Sequence, residues 1–79
     1  MARLTKSAEK SLSELPKALQ DKARNIIGRL DSEPALGKKL VGALAGKRSA
    51  RLGRTHRIIY VTEPEIVVLA IPPRRDAYR

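Results

Sequence analysis

Cysteine, tryptophan and phenylalanine are absent from this 79-residue sequence, which also has only one histidine. Without cysteine the chain has neither disulfide bonds nor thiolate metal ligands, and one histidine is too few for a histidine-based zinc site. Tyr60 and Tyr78 are the only Phe, Tyr or Trp residues, so a core must be built mainly from aliphatic side chains. We therefore expect one domain, residues 1–79, held together by aliphatic packing or by a partner.

Long hydrophobic runs are also missing. No stretch approaches the ~20 apolar residues of a transmembrane helix, and the N-terminus lacks the apolar region of a secretory signal. We therefore expect a cytoplasmic protein that does not bind membranes. The sequence has no P-loop, no metalloprotease motif and no cysteine nucleophile, and it predicts neither a cofactor nor a metal.

Positive charge is in large excess and unevenly distributed. Seventeen Lys and Arg residues against eight Asp and Glu residues give a net charge of +9. Residues 34–62, which we call the acid-free segment, contain no Asp or Glu. Its cations are Lys38, Lys39, Lys47, Arg48, Arg51, Arg54 and Arg57. This pattern favours a polyanionic partner such as nucleic acid, and the alternative is a charge that serves only solubility.

Two amphipathic helices are predicted in the N-terminal half, after a short strand. The first covers about residues 8–15, with Ser7 as its N-cap. Proline is tolerated at a helix start, so the second helix is predicted to begin at Pro16 and to end near residue 30. Residues 31–39 are predicted to form a loop.

From residue 48 onwards the sequence has the twofold period of strands. Strands are predicted at 48–52, 56–62 and 65–71, and the last is apolar on both faces, as in a central strand. Pro72 and Pro73 prevent it from continuing as a hydrogen-bonded strand. The order strand, helix, helix, strand, strand, strand predicts a two-layer α+β domain with helices on one face.

The alternation within residues 56–62 separates core from surface. If Ile58 and Tyr60 face the helices, Arg57 points out of the opposite face. The preceding strand and the tail then bring Arg51 and Arg74 close to it. Guanidinium groups match phosphate in charge and in fork geometry, so this face is a predicted phosphate-binding surface.

Two segments resemble the RelE/ParE superfamily of bacterial and archaeal toxins: LVGALAGKRSARLGRTHRIIYV, residues 40–61, and IVVLAIPPRRDAYR, residues 66–79. The superfamily has a Leu-x-Gly element, an Arg-rich strand, a Gly turn, a strand of the type yRviY and a closing hRrdvY. The matching residues are Leu44 to Gly46, Arg51, Gly53, Arg57 to Tyr60, and Arg74 to Tyr78. The N-terminal AEKSLSELP also fits, so the resemblance covers nearly the whole chain.

This resemblance implies a RelE-like fold, in which a strand and a helical hairpin pack on an antiparallel sheet in the order β-α-α-β-β-β. It also implies a toxin of a type II toxin–antitoxin system. RelE-like members enter the ribosome and cut mRNA without a metal, through attack by the 2′-hydroxyl. The implied partners are the ribosome, mRNA and an antitoxin whose acidic helical segment forms a heterodimer or a larger complex with the toxin.

The resemblance also implies roles for individual residues. Arg57 and Arg74 would stabilise the reacting phosphate, with Arg51 beside them. Tyr78 would stack on a base or assist proton transfer. The residues themselves offer His56 as a second side chain that could move protons. The residues expected to bind RNA are Lys47, Arg48, Arg54, His56 and Arg75.

A second interpretation follows from the same resemblance. ParE-like members share the fold but act on DNA gyrase. The strongest RNA-cleaving members have lysines where this sequence has arginines, and arginine is a poor general base because of its high pKa. His56 also lies in a turn that is one residue longer than usual, and Pro73 replaces a common histidine. A gyrase inhibitor is therefore the alternative, followed by an inactive relative or a nucleic-acid-binding module.

Overall fold

The structure is a computed structural model that describes residues 2–74, apart from the side chain of Ala43. The elements are β1 (Arg3–Leu4), α1 (Lys6–Glu14), α2 (Lys17–Arg29), β2 (Lys38–Lys39), a 3₁₀ turn (Gly42–Leu44), β3 (Arg48–Leu52), β4 (His56–Val61) and β5 (Val67–Ala70). They confirm the predicted α+β order, with β2 as an added strand. The sheet order is β1-β5-β4-β3-β2. Because β1 runs parallel to β5 while the other pairs are antiparallel, the sheet is mixed.

Helix α1 begins two residues earlier than predicted, because Thr5 and not Ser7 is its N-cap. The Thr5 hydroxyl accepts a hydrogen bond of 3.1 Å from the Ala8 amide and donates one of 2.7 Å to the Leu69 carbonyl. One side chain thus caps the helix and joins it to β5. The helix ends before Leu15, which is extended because it precedes a proline.

The junction between the helices is held by Gln20. Its side-chain amide donates to the carbonyls of Ser13 and Leu15, at 3.2 and 3.0 Å, which α1 leaves without partners of its own. Both helices bury an apolar stripe against one face of the sheet. The shared core consists of Ala8, Leu15, Ala23, Ile27, Leu30, Ala50, Leu52, Ile58, Tyr60, Val68 and Ile71. In the described part of the chain, no helix has the length and apolar character needed to cross a membrane.

Strand β2 corrects the prediction of a loop over residues 31–39. Lys38 pairs with Ser49 and Lys39 with Arg48, antiparallel to β3. Two consecutive lysines have no alternation of polar and apolar side chains, so the periodicity that identifies strands is missing. The strand exists because β3 offers it a free edge.

The chain between α2 and β2 is fixed by Tyr60, which is fully buried. Its hydroxyl accepts a 2.7 Å hydrogen bond from the Gly37 amide and donates a 2.9 Å bond to the Pro34 carbonyl. A Cβ atom at residue 37 would lie 2.8 Å from the Tyr60 ring, so only glycine fits there. Arg48 adds a 2.8 Å bond from Nη1 to the Gly37 carbonyl.

Candidate anion-binding site

Arg51 and Arg57 lie directly opposite each other in the ladder between β3 and β4. Ile58 and Tyr60 are fully buried in the core shared with the helices, whereas Ile59 is buried but not part of that core, so the predicted alternation is confirmed and Arg57 projects from the opposite face. Directly opposite residues share a face, so Arg51 projects there too. Like charges in this position destabilise a strand pair, and an anion between them removes the repulsion.

The turn that joins β3 to β4 is compact. Gly53 has a φ of +61°, a conformation that side chains rarely adopt, and a Cβ there would lie 3.1 Å from Leu19. The Thr55 hydroxyl lies 2.8 Å from Nδ1 of His56 and orients the imidazole ring. The turn therefore places Arg54 and His56 at the end of the strand pair that carries the two facing arginines.

The chain after β5 returns to this turn. The Pro72 carbonyl accepts a 3.0 Å hydrogen bond from the Arg57 amide, and the Arg74 amide donates to the Thr55 carbonyl at 2.6 Å. The prediction that the two prolines end the strand is confirmed, since β5 stops at Ala70. A proline carbonyl still accepts hydrogen bonds, however, so the segment stays beside β4 and brings Arg74 to the site.

A cavity of about 90 Å³, which we call the arginine pocket, forms where these segments meet. It is lined by Arg51, Gly53, Arg54, His56, Arg57 and Arg74. Nε of Arg57 is buried and has no hydrogen-bond partner among the described residues. A buried donor without an acceptor costs about 1–3 kcal/mol. A ligand oxygen in the pocket would supply the missing acceptor.

The arginine pocket is electrostatically unbalanced. Three cations elsewhere in the described chain lie beside carboxylates: Arg3 is 2.7 Å from Glu65, Arg29 is 2.9 Å from Glu33, and Lys17 is 3.8 Å from Asp21. The first of these pairs raises the pKa of Arg3 through its hydrogen bond and its charge. Within residues 2–74, no carboxylate forms an ion pair with an arginine of the pocket. Four guanidinium groups around so small a volume favour an anion of multiple charge and several oxygens, such as phosphate.

The structure thus brings together five of the residues selected from the sequence: Arg51, Arg54, His56, Arg57 and Arg74. Tyr78 and Arg75 lie outside the described residues. Lys47 and Arg48 are not in the arginine pocket.

Those two residues line a second cavity of about 380 Å³, which we call the lysine cleft. Its lining consists of Lys39, Leu40, Gly46, Lys47, Arg48, Thr62 and Glu63. Lys39, Thr62 and Glu63 were not among the residues selected from the sequence. Lys39 could have been found from its place in the acid-free segment, whereas Thr62 and Glu63 enter only through the pairing of distant strands.

Comparison of the sequence with known families gives a match over residues 2–78. The matched family is described as ParE toxin of type II toxin-antitoxin system, parDE. A search of curated proteins found no match.

Several solved structures have similar folds. The toxin–antitoxin complex RelBE2 from Mycobacterium tuberculosis contains a chain 33% identical, with a TM-score of 0.81 and coverage of 94% of this chain and 96% of that one. The archaeal RelE–RelB complex from Pyrococcus horikoshii OT3 gives 28% identity, a TM-score of 0.73 and coverage of 96% of both chains. The YoeB/ParE toxin from Agrobacterium tumefaciens gives 20% identity, a TM-score of 0.81 and coverage of 91% and 95%. These similarities confirm the RelE-like fold expected from the sequence.

Proposed function

For this chain, which belongs to the ParE toxin family of the RelE/ParE superfamily, we propose a toxin that inhibits translation by cutting mRNA on the ribosome without a metal ion. The observation that carries the proposal is the arginine pocket, in which a buried Nε of Arg57 has no acceptor among the described residues. A scissile phosphate supplies that acceptor. The pocket's volume and its excess of guanidinium groups suit one phosphate group.

In the proposed reaction the 2′-hydroxyl oxygen of RNA attacks the adjacent phosphorus. A P–O2′ bond forms and the P–O5′ bond breaks, which leaves a 2′,3′-cyclic phosphate and a 5′-hydroxyl. Negative charge accumulates on the non-bridging oxygens in the transition state, where Arg51, Arg57 and Arg74 donate hydrogen bonds. Donors aimed at such charge are each worth roughly 10²–10³ in rate.

Two protons must also move, one from the 2′-hydroxyl and one to the departing 5′-oxygen. Arginine stays protonated at neutral pH and does not serve as the base. His56 lines the arginine pocket, and its ring is oriented by the 2.8 Å contact between Nδ1 and the Thr55 hydroxyl. With Nδ1–H donating to Thr55, Nε2 is free to accept the proton. Tyr78 remains the alternative proton carrier.

The same proposal assigns four further cations to contacts with the RNA backbone: Arg54, Lys47, Arg48 and Arg75. Of these, Arg54 lines the arginine pocket. Action on translating ribosomes places the toxin in the cytoplasm.

We also propose an antitoxin as the physiological inhibitor. The M. tuberculosis RelBE2 structure is a toxin–antitoxin complex, and the P. horikoshii structure is a complex of RelE with RelB. A net charge of +9 and an acid-free segment of 29 residues favour a partner with an acidic helical segment, in a heterodimer or a larger complex.

The test is induction of the toxin in cells, followed by mapping of mRNA 5′ ends. Codon-phased cuts are expected for the wild type and are expected to disappear in Arg57→Ala and Arg74→Ala. Arg24→Ala removes an exposed arginine of α2 that does not line the arginine pocket, and it is the matched control that should cut normally.

Inhibition of DNA gyrase is the second candidate. The chain matches the family of the ParE toxin, and no lysine lines the arginine pocket among the described residues. Intact transcripts together with gyrase-linked DNA breaks in the induction experiment would reject the nuclease in favour of this candidate.

A further inference from the structure

The lysine cleft lies on the helix side of the sheet, whereas the facing arginines project from the other side. Lys39 is directly opposite Arg48, and Arg48 is directly opposite Tyr60. Directly opposite residues share a face, and Tyr60 belongs to the core shared with the helices, so Lys39 and Arg48 project on the helix side. Arg51, three residues after Arg48, projects from the opposite face. A ligand of the cleft is therefore distinct from the ligand of the arginine pocket.

The cations of the cleft lack ionic partners. Lys39, Lys47 and Arg48 line it, and within the described part of the chain none of them forms an ion pair. Nη1 of Arg48 donates a 2.8 Å hydrogen bond to the Gly37 carbonyl, which orients the guanidinium and leaves its other nitrogens available. Glu63 is the one carboxylate in the lining, and it is exposed. The cleft thus keeps an excess of positive charge that suits an anionic ligand.

An exposed apolar side chain lies beside these charges. Val41 is 84% exposed, and among the described residues it is the one large hydrophobic side chain that the fold leaves in solvent. A lone exposed valine is ordinary on a protein surface, but this one follows Leu40, which lines the cleft with its unpaired cations. Protein interfaces combine an apolar centre with a charged rim, whereas a phosphate backbone gains nothing from an apolar neighbour. The position of Val41 therefore favours a protein segment over a nucleic-acid backbone as the ligand.

The loop that carries Val41 is closed by backbone hydrogen bonds. The Leu40 amide donates to the Lys47 carbonyl at 3.0 Å, and the Lys47 amide donates to the Leu44 carbonyl at 3.1 Å. These bonds close residues 40–47 into a compact turn, both ends of which line the cleft. A preformed surface loses little conformational entropy when a partner binds, and this favours its use as a docking surface.

We propose that the lysine cleft and Val41 together form the docking surface for an acidic segment of the antitoxin. Carboxylates of that segment pair with the cations of the cleft, and an apolar side chain of the segment packs against Leu40 and Val41. The inference rests on the proposed function, because it names where the proposed antitoxin binds. Since the surface lies on the helix side, the segment binds while a phosphate occupies the arginine pocket, but it competes with the RNA backbone for Lys47 and Arg48.

The experiment titrates the toxin with two synthetic pentapeptides and follows backbone amide shifts by NMR, which gives both the affinity and the location of binding. One peptide has a leucine between two pairs of glutamates, the other has serine in place of the leucine, and both are capped at their termini. Inorganic phosphate is added to occupy the arginine pocket, so that its guanidinium groups do not capture the glutamates. We expect shifts at the residues that line the lysine cleft, and roughly three- to tenfold tighter binding of the leucine peptide because it buries apolar surface on Val41.

Variants separate the charged part of the surface from the apolar part. Lys39→Ala/Lys47→Ala should weaken the binding of both peptides roughly three- to tenfold, because each exposed ion pair contributes only a few-fold to affinity. Val41→Ser should remove the preference for the leucine peptide and leave the affinity for the serine peptide unchanged. Val41→Ile keeps the apolar surface and should keep the preference.

The control for net charge is Lys6→Ala/Lys10→Ala, which removes two exposed lysines of α1. It changes the charge of the protein by the same amount as the cleft variant and should leave both affinities within about twofold of the wild type, because distant exposed charges are screened by salt. Circular dichroism confirms that each variant is folded.

The inference is overturned if Lys39→Ala/Lys47→Ala binds both peptides as the wild type does, or if the shifts fall only on the arginine pocket. A single-stranded deoxypentanucleotide carries the same four negative charges as each capped peptide. If it binds to the cleft more tightly than the leucine peptide, the cleft is a nucleic-acid site and the inference is overturned as well.

Failure of this inference and failure of the proposed function give different results. Codon-phased cutting by a toxin whose cleft does not bind the peptides rejects the docking surface alone. An antitoxin complex that forms equally well with Lys39→Ala/Lys47→Ala keeps the antitoxin and rejects its docking at the cleft. Peptide binding at the cleft without any cutting rejects the proposed nuclease and keeps the docking surface.

Discussion

The hydroxyl oxygen of Tyr60 lies 2.7 Å from the amide nitrogen of Gly37, 23 residues earlier in the chain. This contact joins the C-terminal part of β4 to the segment that leads into β2. Since β2 carries Lys38 and Lys39, the position of both lysines depends on a buried tyrosine that makes no contact with the proposed ligand. The core therefore sets the geometry of the basic surface.

Replacement of this hydroxyl tests that dependence. Tyr60→Phe leaves the buried Gly37 amide without its acceptor, so we expect the free energy of unfolding to fall by about 1–3 kcal/mol. Urea denaturation measures the change. Ser7→Ala deletes an exposed hydroxyl and should stay within about 0.5 kcal/mol of the wild type. Equal stability of Tyr60→Phe and the wild type would contradict the role assigned to the bond.

A methyl group at residue 37 should be destabilising for a different reason. The new Cβ would lie 2.8 Å from the Tyr60 ring and 2.9 Å from the backbone carbon of Ser49, which cannot move without disturbing β3. We expect Gly37→Ala to lose about 1–3 kcal/mol. Gly28→Ala is a control of opposite sign, because nothing lies within 4 Å of its Cβ and alanine favours the helix by about 0.5–1 kcal/mol. The same sign for both variants would refute the explanation.

The facing arginines predict a conflict between stability and binding. Arg51→Gln keeps most of the side chain but removes one of two like charges that lie opposite each other. In the absence of ligand we expect this variant to be more stable than the wild type, by about 0.2–1 kcal/mol, while its affinity for inorganic phosphate falls. Urea denaturation and equilibrium binding give the two values. A variant that loses both stability and affinity would show that Arg51 has a structural role instead.

Inorganic phosphate should stabilise the folded protein by binding to the arginine pocket. At equal ionic strength, we expect phosphate to raise the melting temperature more than chloride does, because only the folded state assembles the pocket. Arg57→Gln should abolish most of the difference, whereas Lys10→Gln on α1 should keep it. An equal response of all three proteins to phosphate would place the anion elsewhere.

Much of the site could be predicted because the alternation of side chains along β4 determines which residues face the core and which face the opposite side of the sheet. Ile58 and Tyr60 belong to the core shared with the helices and Arg57 lies on the other face, as the twofold period requires. The helices were located for the same reason, since an apolar stripe identifies the buried side. These are local patterns, and each depends only on neighbouring residues.

Other features depend on contacts between distant segments. The N-cap at Thr5 is selected by its bond to Leu69, 64 residues away, and not by a local preference over Ser7. Strand β2 exists only beside the free edge of β3, and Lys39 reaches the lysine cleft through that pairing. Sequence patterns near these residues therefore could not distinguish them from an ordinary loop.

Both edges of the sheet are formed by two-residue strands, β1 at one side and β2 at the other. Long, flat and uncharged edges act as templates for pairing between molecules and lead to aggregation. Here each edge is short, and the β2 edge carries the charges of Lys38 and Lys39. Two copies of the chain would repel each other before their edges could pair. The same charges that attract an anionic partner thus protect the free chain from self-association through its sheet.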